Sequence, residues 1–89
     1  MYEFRWNAWN LDHATRHGVS AEESQRVVSA ARTPYPEHVG EGKFRVMGRA
    51  RGNRLVQVVY LLDDDGTVYI IHARPLTDSE KRRLRKRLK

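Results

Sequence analysis

Eighty-nine residues with no cysteine and a net charge of +6 set narrow bounds. The length allows one domain, residues 1–89, with one modest core that buries roughly two-thirds of the unfolded surface; the missing cysteine excludes disulfides and thiolate metal sites. The longest apolar run, Leu55 to Leu62, is broken by Gln57 and falls far short of the ~20 residues of a membrane span, and Met1 to Trp6 is no signal peptide, so the expectation is a soluble cytoplasmic protein.

Tyr2-Glu-Phe-Arg-Trp6 alternates apolar and charged residues, which predicts a half-buried strand with Tyr2, Phe4 and Trp6 facing the core. Asn7 reads as the N-cap of a helix through His17, ended by Gly18, with Ala8, Trp9 and Leu11 or Ala14 on its buried side. Ser20 and Glu23 then form a capping box, starting a second helix that runs to about Ala31 and buries Val27, Val28 and Ala31. The short connection predicts a helical hairpin.

Thr33 to Gly42, with two prolines and two glycines, reads as the one long loop. It either carries the chain across the sheet edge or touches a substrate. Lys43 to Arg51 alternates again, with Phe44, Val46 and Ala50 on one face and Lys43, Arg45, Arg49 and Arg51 as a basic stripe on the other. Arg51-Gly-Asn-Arg54 is a hairpin turn, and Leu55 to Leu62 is a central strand. Asp63-Asp-Asp-Gly66 is a solvated turn, since it lacks the alternating ligands of a calcium loop.

Val68 to Ile71 reads as a sheet-interior strand, and Thr77 with Glu80 forms a capping box that starts a terminal helix over about 77–88. His72 and Arg74 therefore fall at a strand's C-terminal end beside a helix N-terminus, a place suited to phosphate. From Asp78 to Lys89, seven bases against two acids hold +5 of the net charge, either laid on an anionic partner or solvated. The predicted fold is α+β, a small β-α-α-β-β-β-α domain. Its sheet of about four mainly antiparallel strands carries a helical hairpin on one face and ends in a C-terminal helix.

Phe4-Arg-Trp6, His17-Gly-Val-Ser-Ala-Glu-Glu23, Gly48-Arg-Ala50, Leu55-Val-Gln-Val-Val-Tyr60, Ile70-Ile-His-Ala-Arg74 and Thr77-Asp-Ser-Glu80 together resemble the BrnT family of toxins. The resemblance covers nearly the whole chain in consistent order. It departs at Trp6-Asn-Ala-Trp-Asn10, where BrnT sequences commonly have Trp-Asp-Pro and a Lys, and at His72, where a small residue is common. It implies a RelE-related fold and a ribonuclease toxin of a type II toxin–antitoxin system. It also implies a BrnA-like antitoxin partner, through which alone the complex meets DNA.

Metal-independent RNA cleavage needs a group to take the 2′-OH proton, cations for the crowded phosphorane and a group to protonate the leaving oxygen. Arg74 and Arg49 suit the phosphate, because a guanidinium fork stays charged and pairs two oxygens. Glu80, His17 and His72 are the proton-moving candidates, Tyr60 a donor or stacking group, and Lys43, Arg45, Arg51 and Arg54 guides for the RNA backbone. Each has a structural alternative: Arg74 paired with Glu80 or Asp78, Glu80 spent on its cap, His17 at a helix end, Tyr60 in the core. His72 shares strand parity with Val68 and Ile70 and reads as partly buried. His13 and His17 have zinc spacing but no third ligand, so no metal or other cofactor is expected. The sequence allows an oligomer without specifying one. The alternative function is a non-catalytic module that binds nucleic acid or antitoxin.

Overall fold

The computed structural model describes residues 2–87. Two helices, α1 (Ala8–Thr15) and α2 (Ala21–Ser29), precede β1 (Glu37–His38), β2 (Lys43–Arg49), β3 (Leu55–Leu62) and β4 (Val68–Pro75), and α3 (Asp78–Arg87) closes the chain. The four strands form one antiparallel sheet in the order β1-β2-β3-β4. The fold is thus α+β, as the residue pattern predicts.

The N-terminal segment departs from expectation. Instead of a full strand it makes one parallel bridge, Phe4 to Val68, held by Arg5 N–H to the Val68 carbonyl at 2.9 Å and Val68 N–H to the Glu3 carbonyl at 2.8 Å. The reason is Asn10. Its side chain is fully buried and donates to the Ile70 carbonyl at 2.9 Å and the Arg5 carbonyl at 3.1 Å, so an amide replaces the next rung of the ladder. Asn10 also accepts from Asn7 N–H at 2.6 Å while Asn7 accepts from Asn10 N–H at 3.1 Å, a capping box with asparagine in the glutamate position. The buried stripe of α1 is consequently Asn10 and Ala14, whereas Ala8, Trp9 and Leu11 are exposed. The helix stops at Thr15, two residues early, leaving His17 in the turn before Gly18 (φ 82°).

The second capping box forms as expected, between Ser20 and Glu23 at 3.1 Å in both directions. Val27 and Val28 are buried; the helix ends at Ser29 with Ala31 only partly buried. The long loop supplies the fourth strand, because Glu37 and His38 pair with Arg45 and Phe44. Arg51 leaves the basic stripe: β2 ends at Arg49, and Arg51–Asn53 form a 3₁₀ turn with Gly52 at φ 71° and Asn53 at φ 62°.

Branched residues build the core. Val46, Val56, Val58, Val68 and Ile70 from the sheet meet Val27 and Val28 of α2, with Leu84 of α3 closing the cluster. Each fully buried aliphatic side chain contributes about 1.5–3 kcal/mol. Leu84 is the apolar anchor of an otherwise strongly charged helix; Leu88, its expected companion, lies outside the described residues. Among the described residues no helix is long and apolar enough to cross a membrane.

Candidate functional site

A bulge in β4 determines which residues face the site. Tyr60 pairs with Ile70 but Val59 pairs with His72, so Ile71 is an extra residue that reverses the strand's parity. The sequence parity of His72 with Val68 and Ile70 is therefore corrected. Ala73 takes over the core side and is fully buried, while His72 and Arg74 share the face of Val59 and Gln57.

The turn after α1 brings His17 to this position. The rings of His17 and His72 lie 5.6 Å apart, edge to face. His72 is half-buried, and its imidazole is held below the ordinary value of 6.5, first by burial and then by the nearby His17 and Arg74. Arg54 fixes the turn from the other side: its guanidinium donates to the Gly18 carbonyl at 3.1 Å and to both Glu23 oxygens at 3.1 and 3.3 Å. The same Glu23 accepts from Arg51 N–H at 3.3 Å. Burial disfavours the Glu23 charge, but its hydrogen bonds with Ser20 and Arg54 outweigh this and lower its pKa.

Arg74 and Glu80 form a two-point fork, with Nη1 to Oε1 and Nη2 to Oε2 both 2.7 Å. Glu80 also accepts from Thr77 N–H at 2.9 Å, and Thr77 Oγ1 accepts from Glu80 N–H at 3.2 Å. Hydrogen bonding from Arg74, strong enough to outweigh burial, brings the Glu80 carboxyl down to about 2. The N-terminus of α3 is thus occupied by its own capping box, and the free N–H groups expected there for phosphate are partly spent.

The remaining expected site residues are scattered. Tyr60 is buried on the core side, stacked on Phe44 with centroids 5.5 Å apart, and burial followed by Tyr2 pushes its phenol up to about 12. Arg49 is exposed on β2, two strands from Arg74, and its nearest hydrogen-bond partner is the Asn53 carbonyl at 3.5 Å. Arg45 is paired with Glu37 across the β1–β2 ladder, and Lys43 lies 3.9 Å from Glu41. Met47, buried between Arg45 and Arg49, interrupts the stripe. The structure brings His17 to His72 and Glu80 to Arg74, keeps Lys43, Arg45 and Arg49 two strands away on β2, and turns Tyr60 to the opposite, core face.

Several residues were passed over by pattern reading. Asn10 reads as an ordinary helix position unless Asn-x-x-Asn is taken as a capping box. Gln57 looks like a flaw in an apolar strand; its amide oxygen is buried without a hydrogen-bond partner among the described residues, across the sheet from Arg74. Trp9, expected on the buried side of the first helix, is exposed and stacks on the partly buried Tyr69.

Among the described residues no group of three or more His, Asp or Glu side chains is placed to hold a metal ion. His13, four residues before His17, stacks on Trp9 at 3.8 Å and donates through Nδ1 to the Trp9 carbonyl at 2.7 Å. No family model, curated protein or solved structure matches the chain. The likeness to BrnT toxins therefore rests on the short motifs quoted above.

Proposed function

We propose that the protein is a ribonuclease toxin that cleaves RNA without a metal, by attack of a ribose 2′-OH on the adjacent phosphate. One observation carries this reading: the His17 and His72 imidazoles lie 5.6 Å apart, and His72, on β4, is near enough to the Arg74 guanidinium to feel its charge. His72 takes the 2′-OH proton, because its lowered pKa keeps it neutral at pH 7. His17, exposed in the turn, gives a proton to the leaving 5′-oxygen. Arg74 faces the phosphorane, and Glu80 holds its fork in position rather than moving a proton, since a carboxyl at about 2 is a poor base near neutrality.

The BrnT-like motifs support a cytoplasmic toxin neutralised by an antitoxin protein, with DNA reached through that partner. A second reading has its own observation. Glu80 already satisfies Arg74 at two points, which favours a module that binds nucleic acid or antitoxin without cleavage. Induced expression of wild type beside His17→Ala/His72→Ala, with total RNA separated on a gel, decides between them. Growth arrest and RNA fragmentation in wild type alone support the ribonuclease; intact RNA and normal growth in both favour the binding module.

A further inference from the structure

The outer edge of β2 is only partly covered. β1 pairs with Arg45 and Phe44 and reaches no further, so Met47, Gly48 and Arg49 have no strand beside them. Along β2 the backbone groups alternate in direction. The Lys43 carbonyl accepts from Val39 N–H and Lys43 N–H donates to the Gly40 carbonyl, both outwards at 2.9 Å, whereas Ala50 N–H points inwards to the Arg54 carbonyl at 2.7 Å. Met47 and Arg49 share the outward parity of Lys43. Among the described residues their N–H and carbonyl groups have no partner on that side.

A cleft of about 400 Å³ opens beside this bare stretch, floored by Val27, Ala31, Tyr35, Met47, Leu55 and Leu84. Arg32 and Arg49 stand exposed at its rim, and among the described residues no carboxylate lines it. The Arg32 side chain has no partner among the described residues, and Arg49 has only the Asn53 carbonyl at 3.5 Å. An unpaired strand edge, an apolar hollow and free cations together match one kind of ligand: an extended backbone with alternate apolar side chains and negative charge. We infer that this edge is a docking site for an extended acidic segment of a partner protein, which adds as a strand beside Met47 and Arg49. The segment's backbone pairs with their free groups, every second side chain enters the cleft, and its carboxylates meet Arg32 and Arg49. A second copy of this chain, also +6, would set like charges against one another. An RNA strand would neutralise the arginines, but it has neither a peptide backbone to extend the ladder nor aliphatic side chains for the cleft. The edge lies two strands from His72, so the inference stands apart from the ribonuclease reading.

The test uses a labelled decapeptide that alternates valine with glutamate. Its controls are the same peptide N-methylated throughout, which cannot donate to a strand edge, and one that alternates valine with lysine. Affinity by fluorescence anisotropy and amide hydrogen exchange by NMR are read for wild type and Arg32→Glu/Arg49→Glu. The expected result is saturable binding of the glutamate peptide to wild type, with exchange slowed at Met47 and Arg49. Affinity should be about 10- to 100-fold weaker in the double variant. The methylated peptide should bind about tenfold more weakly than its parent, and the lysine peptide not at all. No binding of the glutamate peptide, equal affinity for the methylated one, or unchanged exchange at Met47 and Arg49 overturns the docking site. So does full affinity in the double variant, or a dimer of the free protein that protects Met47 and Arg49, which would assign the edge to a second copy. Should the double variant fail to fold, the methylated peptide and the exchange at Met47 and Arg49 still decide. RNA cleavage, read on total RNA, stands or falls separately.

Discussion

The side-chain amide of Asn10 donates to the backbone carbonyl of Ile70 across 2.9 Å with no exposure to water. It joins α1 to the outer edge of β4 and, through Arg5, fastens the N-terminal segment there. Asn10→Ala leaves two carbonyls and the Asn7 N–H short of partners, and is expected to cost about 2–4 kcal/mol by urea unfolding. Asn10→Asp should cost more. A carboxylate supplies no donor and faces two acceptors in the interior. Equal stability of wild type and both variants would show that the amide bonds carry nothing.

Glu80 gives the fold a defined acid sensitivity. Its folded pKa, about 2, lies below the ordinary value of 4.5, so its ionised form stabilises the native state fully above 4.5. That contribution, about 3 kcal/mol, is lost as pH falls from about 4.5 towards 2. In Glu80→Gln this portion of the acid dependence should be missing, and its stability should already be reduced at pH 7. Thermal melts at pH 7, 4 and 2.5 read the difference; parallel curves for the two proteins would contradict the assignment.

The three Ser/Thr/Asn starts, the β-branched runs and the glycine turns made most of this fold legible, because each acts within four residues of itself. What escaped the sequence acts across the chain. Tyr2-Glu-Phe-Arg-Trp6 has the alternation of a strand, yet Asn10, sixty residues from Ile70, takes the rung that would have completed it. His72 has core parity until Ile71 bulges, and a bulge is set by pairing with Val59 and Tyr60 rather than by local pattern. Arg74 and Glu80 were readable as a pair because six residues separate them; the approach of His17 to His72 depended on where α1 docks.

Gly48 tests how α2 meets the sheet. A Cβ at this position would stand 3.5 Å from Val27 Cγ1, an ordinary contact, and its φ is not in the left-handed region. Gly48→Ala is therefore accommodated and should raise stability by about 0.5–1 kcal/mol, through lower unfolded-state entropy. Gly48→Leu drives further atoms into Val27 and should cost about 1–3 kcal/mol. Opposite signs for the two substitutions in urea titrations are the expected signature; destabilisation by alanine would mean that α2 sits closer to β2 than 3.5 Å allows.

The proposed chemistry has a pH signature that comes from His72. Burial, His17 and Arg74 all disfavour its protonated form, so the neutral base persists below 6.5. The acid limb of kcat/KM for single-stranded RNA should then fall below pH 6.5. The same shift has a folding consequence of known sign: from 6.5 downwards the unfolded chain binds this proton more readily, so stability declines until the folded imidazole also titrates. Replacing His17 by glutamine removes one of the two neighbours that resist the charge. It should move the His72 titration upward, a shift visible in the imidazole NMR signals whether or not RNA is turned over. A limb above 6.5, or a His72 titration unmoved by His17→Gln, would remove His72 from the role of base and uncouple the two rings.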